Sequence, residues 1–112
     1  MKLLQTTVVL AGFLLASSGA LASSVTQRVV IHVNVVESGG VPNVIVKVEG
    51  GVPSQSCSDK TAYVRPLTDG IGKHLLAAAL TALSTGKRVD VIGTNKCGAF
   101  DVETMNEIRV FK

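Results

Sequence analysis

From residue 28 to residue 36 apolar and polar side chains alternate with a period of two. Val29, Ile31, Val33 and Val35 fall on one face, and Arg28, His32 and Asn34 on the other. This predicts a strand with its aliphatic face inward. The stretch from Glu37 to Asn43 is rich in turn formers, and a second alternating run follows at 44–49. There Val44, Val46 and Val48 point inward, while Lys47 and Glu49 point outward. The two runs are expected to pair as a hairpin with a longish loop. After a Gly/Pro/Ser loop at 50–56, residues 61–65 read as a third strand, stopped by Pro66.

The period then changes. Over 71–85 the pattern is helical, with Leu76, Leu80 and Leu83 on one apolar face beside Leu75 and Ala79. Asp69 stands where an N-cap is expected and Gly86 where a glycine ends a helix. Ala77, Ala78, Ala79 and Ala82 raise helix propensity and permit close packing, so self-assembly through this helix is one expectation. Period two returns at 88–92, with Val89 and Val91 inward and Arg88 and Asp90 outward. A loop from Gly93 to Glu103 is expected to carry Cys97. The last strand is expected at 106–111, with Ile108 and Val110 inward and Glu107 and Arg109 outward.

Three strands, one helix and two strands make a mostly-β domain. The order β-β-β-α-β-β matches a small five-stranded barrel of the oligonucleotide/oligosaccharide-binding (OB-fold) kind. The rival is an α+β sandwich with the helix on one open sheet, and the helix position favours the barrel.

The amino-terminal segment obeys other rules. Met1-Lys2, an apolar centre from Val8 to Ala16, and the small-x-small site Ala20-Leu21-Ala22 read as a secretory signal peptide spanning residues 1–22. Its strongly apolar run is shorter than the roughly 20 residues that a membrane span requires. Cleavage after Ala22 would leave residues 23–112 as one exported domain, periplasmic or secreted, with no transmembrane span. Cys57 and Cys97 are the only cysteines. In an oxidising compartment they are expected to pair, and closing a loop of about 40 residues stabilises a fold by about 4 kcal/mol.

The formal net charge is +3, one unit of which sits on Lys2. Lys47, Arg65, Lys87, Arg88 and Arg109 are dispersed among acids, and residues 23–112 hold only Tyr63, Phe100 and Phe111 as aromatics. Nucleic-acid binding by base stacking along a basic groove is therefore not expected. The same scarcity argues against sugar recognition by ring stacking and leaves hydrogen-bonded capture of an acidic sugar. His32 and His74 have no second His, Cys or carboxylate at metal-ligand spacing. Asp69-Gly70-Ile71-Gly72-Lys73 lacks both the leading Gly and the trailing Ser or Thr of a phosphate loop and is a helix entry. Asp59, Asp69, Asp101 and Glu103 lie near loops, but no catalytic set can be read from their spacing. The expectation is a non-enzymatic protein without metal or cofactor.

Val29-Val30-Ile31, Val48-Glu49-Gly50, Ser56-Cys57-Ser58 and the helix exit Thr85-Gly86-Lys87-Arg88-Val89 lie in an order that resembles the B subunits of AB5 toxins. The likeness is to the subtilase-cytotoxin and pertussis-like branch in particular, or to a wider set of exported OB-fold proteins that share only that scaffold. The resemblance covers most of residues 23–112 and rests on short structural motifs. It implies a secreted barrel that forms a ring and binds cell-surface glycans. The family's sugar contacts include a serine at the start of the first strand. The corresponding place holds Thr26-Gln27, which with Tyr63 are the ligand-binding candidates. A second expectation is a monomeric periplasmic accessory protein whose strand edges dock on an envelope protein.

Overall fold

The computed structural model describes residues 23–54 and 56–112. The signal-peptide assignment, residues 1–22, lies outside the described residues. Five strands and one helix follow in the order β1 (Val25–Ser38), β2 (Val41–Val48), β3 (Asp59–Pro66), α1 (Gly72–Thr85), β4 (Arg88–Cys97) and β5 (Val102–Val110). The strands form one sheet in the spatial order β1-β2-β3-β5-β4, and β4 pairs back to β1. All neighbours are antiparallel except β3 and β5, which run parallel.

The inward rows of β2 and β4 are those that alternation predicts. Val44, Val46, Val48, Val89 and Val91 are buried with Val25, Val30, Tyr63 and Met105, and α1 closes over them with Leu75, Ala79 and Ala82. Each fully buried valine or larger side chain contributes about 1.5–3 kcal/mol relative to leaving it in water. That term dominates the stability of a domain this small.

Five local expectations are corrected. The first hairpin is tight, because pairing continues to Ser38 opposite Val41 and leaves only Gly39-Gly40 as the turn. Both glycines have positive φ, 60° and 81°. A two-residue turn of this hand suits the twist of the strands it joins and excludes most side chains.

On β1 the register shifts between Val30 and His32. An extra residue turns the face over, so Val30 is buried whereas Ile31 is 57% exposed. Beyond it Val33 packs on the core, while Val35 lies on the part of the strand that runs past it and is exposed.

The buried face of α1 is made of Gly72, Leu75, Ala79 and Ala82. Leu80 and Leu83 are 46% and 39% exposed, and Leu76 is half-buried. The helix lies too close to the chain beneath for a large residue at its first position. A Cβ on Gly72 would stand 2.1 Å from the Pro66 carbonyl oxygen. Gly72, Ala79 and Ala82 therefore face the core together with Leu75, while Leu80 and Leu83 lie outside the contact.

Asp69 does not cap the helix. Ile71 occupies the N-cap position with no side-chain hydrogen bond, and Asp69 instead pairs with Arg65 at 2.8 Å. Gly86 does end the helix, with φ 70° and its N–H donating to the Ala82 carbonyl.

The last two strands are longer than their alternation shows. β4 runs on to Cys97 and β5 begins at Val102, so the expected loop at 93–103 shrinks to residues 98–101. Register shifts at Gly93 and before Cys97 interrupt the period and hide the continuation. At the far end of β5, Val110 is exposed rather than inward.

Among the described residues no helix is long and apolar enough to cross a membrane.

Candidate functional site

The outward row of β1 carries His32, Asn34 and Val36, and that of β2 carries Ile45 and Lys47. Antiparallel pairing sets His32 opposite Lys47 and Asn34 opposite Ile45. On β3 the outward side chains Ala62 and Val64 are themselves buried. They form a second apolar cluster with Val102, and Ile45 and Ala99 pack against it. The cover is the short connection from β4 to β5, which folds down over the outer face of β3.

Phe100 is the exposed end of that cover, at 50%. It forms one wall of a recess of 240 Å³ whose remaining lining is His32, Asn34, Val36, Ile45, Lys47, Asp59 and Val102. Polar groups of four kinds thus meet one aromatic edge: an ammonium, a carboxylate, an imidazole and an amide.

Asp59 is held in place from below, since the Thr61 N–H and hydroxyl both donate to its Oδ1, at 2.8 and 2.6 Å. These bonds, aided by the Lys47 ammonium, hold its carboxyl below the ordinary Asp range, against a small opposing effect of burial. Lys47 forms no ion pair among the described residues, and its charge faces the recess.

The cover is fastened by several ties. Cys57 and Cys97 form the expected disulfide, with Cα atoms 5.6 Å apart, joining the loop before β3 to the last residue of β4. The Ser58 N–H donates to Asp101 Oδ2 at 2.9 Å, and hydrogen bonding from Ser58, its side chain first and this N–H second, holds that carboxyl below its usual range. The Gly98 N–H donates to the Val102 carbonyl at 2.8 Å. Lys60 Nζ reaches back to the carbonyls of Ser54 and Cys57, at 2.7 and 2.9 Å.

These ties hold an unfavourable backbone. Asn95, Phe100 and Asp101 all have positive φ, 63°, 61° and 57°. For a residue with a Cβ each costs about 1–2 kcal/mol, and Phe100 is the least suited to it. Such backbone persists only where its surroundings over-determine it.

Beneath the disulfide lies Glu103, fully buried. It accepts hydrogen bonds from the Ser54 hydroxyl at 2.8 Å and from the Asn95 N–H. Gly93 is required beside it, because a Cβ there would stand 2.6 Å from the Ser23 carbonyl oxygen and 2.9 Å from Glu103 Oε2.

The three ligand candidates named from the sequence do not come together at this recess. Tyr63 is a core residue, fully buried, with its hydroxyl donating to the Ser23 carbonyl at 2.7 Å. Burial raises its phenol well above the ordinary range, and the Glu103 charge adds to the effect. It presents no ligand platform. Thr26 and Gln27 are exposed at a register shift within the β1–β4 pairing, which resumes at Arg28. There the Gln27 N–H donates to Asp90 Oδ1 and the Arg88 guanidinium donates to the Gln27 carbonyl.

His74 is exposed in the first turn of α1. The loop that superficially suggests phosphate binding lines a separate recess with Pro42, Leu67, Thr68, Asp69, Gly70 and Lys73. Asp101 comes near Cys57 and Cys97, but both sulfurs are committed to the disulfide, so the thiolates a metal would need are absent.

Phe100 is the residue that sequence reasoning passed over. Alternation does place His32, Asn34 and Lys47 outward, and only the register shows that they adjoin one another and Phe100. Compared with known proteins, the chain matches no protein-family model and no curated sequence significantly.

Proposed function

We propose that this is an exported, non-enzymatic binding module of the OB-fold kind, whose outer-face recess takes a hydroxylated ligand such as a cell-surface glycan. The observation that carries the reading is the position of the recess. In five-stranded Greek-key barrels of this kind, ligands bind on the face of strands 2 and 3 between the β1–β2 and β4–β5 connections. The recess here opens on the outer side of β1 and β2, reaches β3 at Asp59, and has Phe100 of the β4–β5 connection as its wall, which supports that comparison.

The donor set supports it. Asn34, Lys47, Asp59 and His32 offer donors and acceptors of both charges, as a ring bearing several hydroxyls demands. Phe100 offers an apolar surface for the ring's C–H face. A single shallow site of this size binds weakly, so useful affinity calls for several copies acting together. A toxin-B-like ring would supply them.

Two features are consistent with self-association. From Val30 onward β1 pairs only with β2 among the described residues, leaving a long backbone edge beside Ile31 and Val35. An unpaired apolar edge of this length is a template for another strand. The leucine flank of α1 is exposed as well.

The reading is tested by glycan-array binding of residues 23–112 together with their native mass by light scattering. Binding by an assembly of about five chains, lost at least tenfold in Phe100→Ala, is the expected result. An empty array for both the assembly and the monomer would overturn it.

The same open edge of β1 favours a second reading, a monomeric periplasmic accessory protein that docks an envelope partner along that strand. A clean monomer that is retained in the periplasm and captures an envelope protein through β1 would establish it instead.

A further inference from the structure

We propose that the buried carboxylate of Glu103 guards the Cys57–Cys97 disulfide against reduction by thiols. Three observations carry this, and none depends on what the outer recess binds. Cys57 Sγ lies 3.9 Å from Glu103 Oε1. Cys57 and Glu103 are both buried, whereas Cys97 is exposed. Among the described residues Glu103 forms no ion pair that would cancel its charge; its hydrogen-bond partners, the Ser54 hydroxyl and the Asn95 N–H, are neutral.

The exposure difference fixes the direction of attack. A small-molecule thiolate can approach Cys97 Sγ from solvent and cannot reach Cys57 Sγ. A bond forms between the incoming sulfur and Cys97 Sγ as the S–S bond breaks, and its electron pair leaves on Cys57 Sγ. A second thiolate then displaces Cys97 as its thiolate, yielding the external disulfide, and the two cysteine thiolates take up protons from water.

The first step creates a buried thiolate against a buried carboxylate. Burial and a like charge both disfavour the anionic form. A leaving thiolate of higher basicity departs more slowly. Attack from the open side therefore expels the sulfur least able to leave. The disulfide holds Phe100 and the cover of β3 in place, so the same carboxylate keeps that cover shut in surroundings where thiols are present.

The test is the rate at which dithiothreitol reduces the oxidised protein, followed by alkylation and mass measurement. Glu103→Gln keeps the shape and removes the charge, and about tenfold faster reduction is expected. Ser54→Ala removes a neutral hydrogen bond to the same carboxylate and leaves the charge, so its rate is expected within about twofold of the unsubstituted protein. Equal rates for Glu103→Gln and the unsubstituted protein would overturn the proposal. So would Ser54→Ala matching Glu103→Gln, since simple loosening would then explain both.

If Glu103→Gln does not fold, the unsubstituted protein after phosphine reduction gives the answer. Its Cys57 is expected to alkylate only above the ordinary thiol range, about 8.5. A Cys57 titrating at or below that value would overturn the proposal.

Discussion

The two sides of this sheet are held by different forces. Inside, valines of β2 and β4 meet Leu75, Ala79 and Ala82 of the helix, and almost every atom is apolar. Outside, a small cluster of Ala62, Val64 and Val102 lies under a four-residue connection. That connection is fastened by a disulfide, a buried carboxylate and hydrogen bonds to backbone at positive φ. Apolar burial is non-directional and tolerates approximate shape, so the inner side can be built from repeated valine. The outer side must hold one aromatic at one place over a polar recess, which needs directional and covalent ties. Among the described residues, Asn95, Phe100 and Asp101 at positive φ and the buried Ser54 and Glu103 all belong to this side or to its ties.

The largest effect should come from cutting the covalent tie. Cys57→Ala with Cys97→Ala is expected to lower stability by about 4 kcal/mol. The urea midpoint measures it, and a loss under about 1 kcal/mol would mean that the polar ties suffice to hold the outer cover. Next, Met105→Ala opens a cavity in the inner core and is expected to cost about 3 kcal/mol. If it cost no more than a surface substitution, the inner side would not be the packed scaffold described here. Gly93→Ala tests the junction of the two sides. The added methyl meets the Ser23 carbonyl and Glu103, and about 2 kcal/mol is expected from overpacking.

A smaller effect, confined to acid, belongs to the outer ties alone. Hydrogen bonding from Ser58, its side chain first and its N–H second, holds the folded-state carboxyl of Asp101 below its ordinary value. A group depressed in this way contributes stability that is fully present above its unfolded value, about 3.9, and is lost as the pH falls through the folded one. Asp101→Asn should therefore flatten the decline of the urea midpoint below about pH 4 and leave the inner core untouched. Parallel acid profiles for the two proteins would show that this tie carries nothing. The smallest effect is expected at Leu80→Ala, within about 0.5 kcal/mol for an exposed site on an isolated chain. A larger loss that depends on protein concentration would mean that the leucine flank of α1 is covered in an assembly.

Legibility in the sequence divides along the same line as the forces. Val44, Val46, Val48, Val89 and Val91 were readable because a strand buried on one face repeats every second residue, and nothing interrupts the repeat there. Ile31 was misplaced because one extra residue in β1 turns the face over, and an extra valine-like residue leaves no mark in a run of aliphatics. Leu80 and Leu83 share a helical face by their spacing with Leu76, but the face that meets the sheet is rotated toward Leu75 and Ala79. The buried face is instead Gly72, Leu75, Ala79 and Ala82, with Gly72 set against the Pro66 backbone. The ends of β4 and β5 vanished into an apparent loop where register shifts and a buried glutamate broke the alternation.

What the sequence by itself determined is therefore local and compositional: four alternating runs and a short apolar one stopped by Pro66, one helix ended by Gly86, and two cysteines available to each other. Those follow from period, capping and covalent chemistry, each set within a few residues of itself. The recess was decided only by the tertiary structure. His32 and Lys47 become neighbours through the β1–β2 register, and Phe100 reaches them because a disulfide ties residues forty positions apart. Such proximity is a property of how strands pair and close, and no residue carries it in its own neighbourhood of the chain.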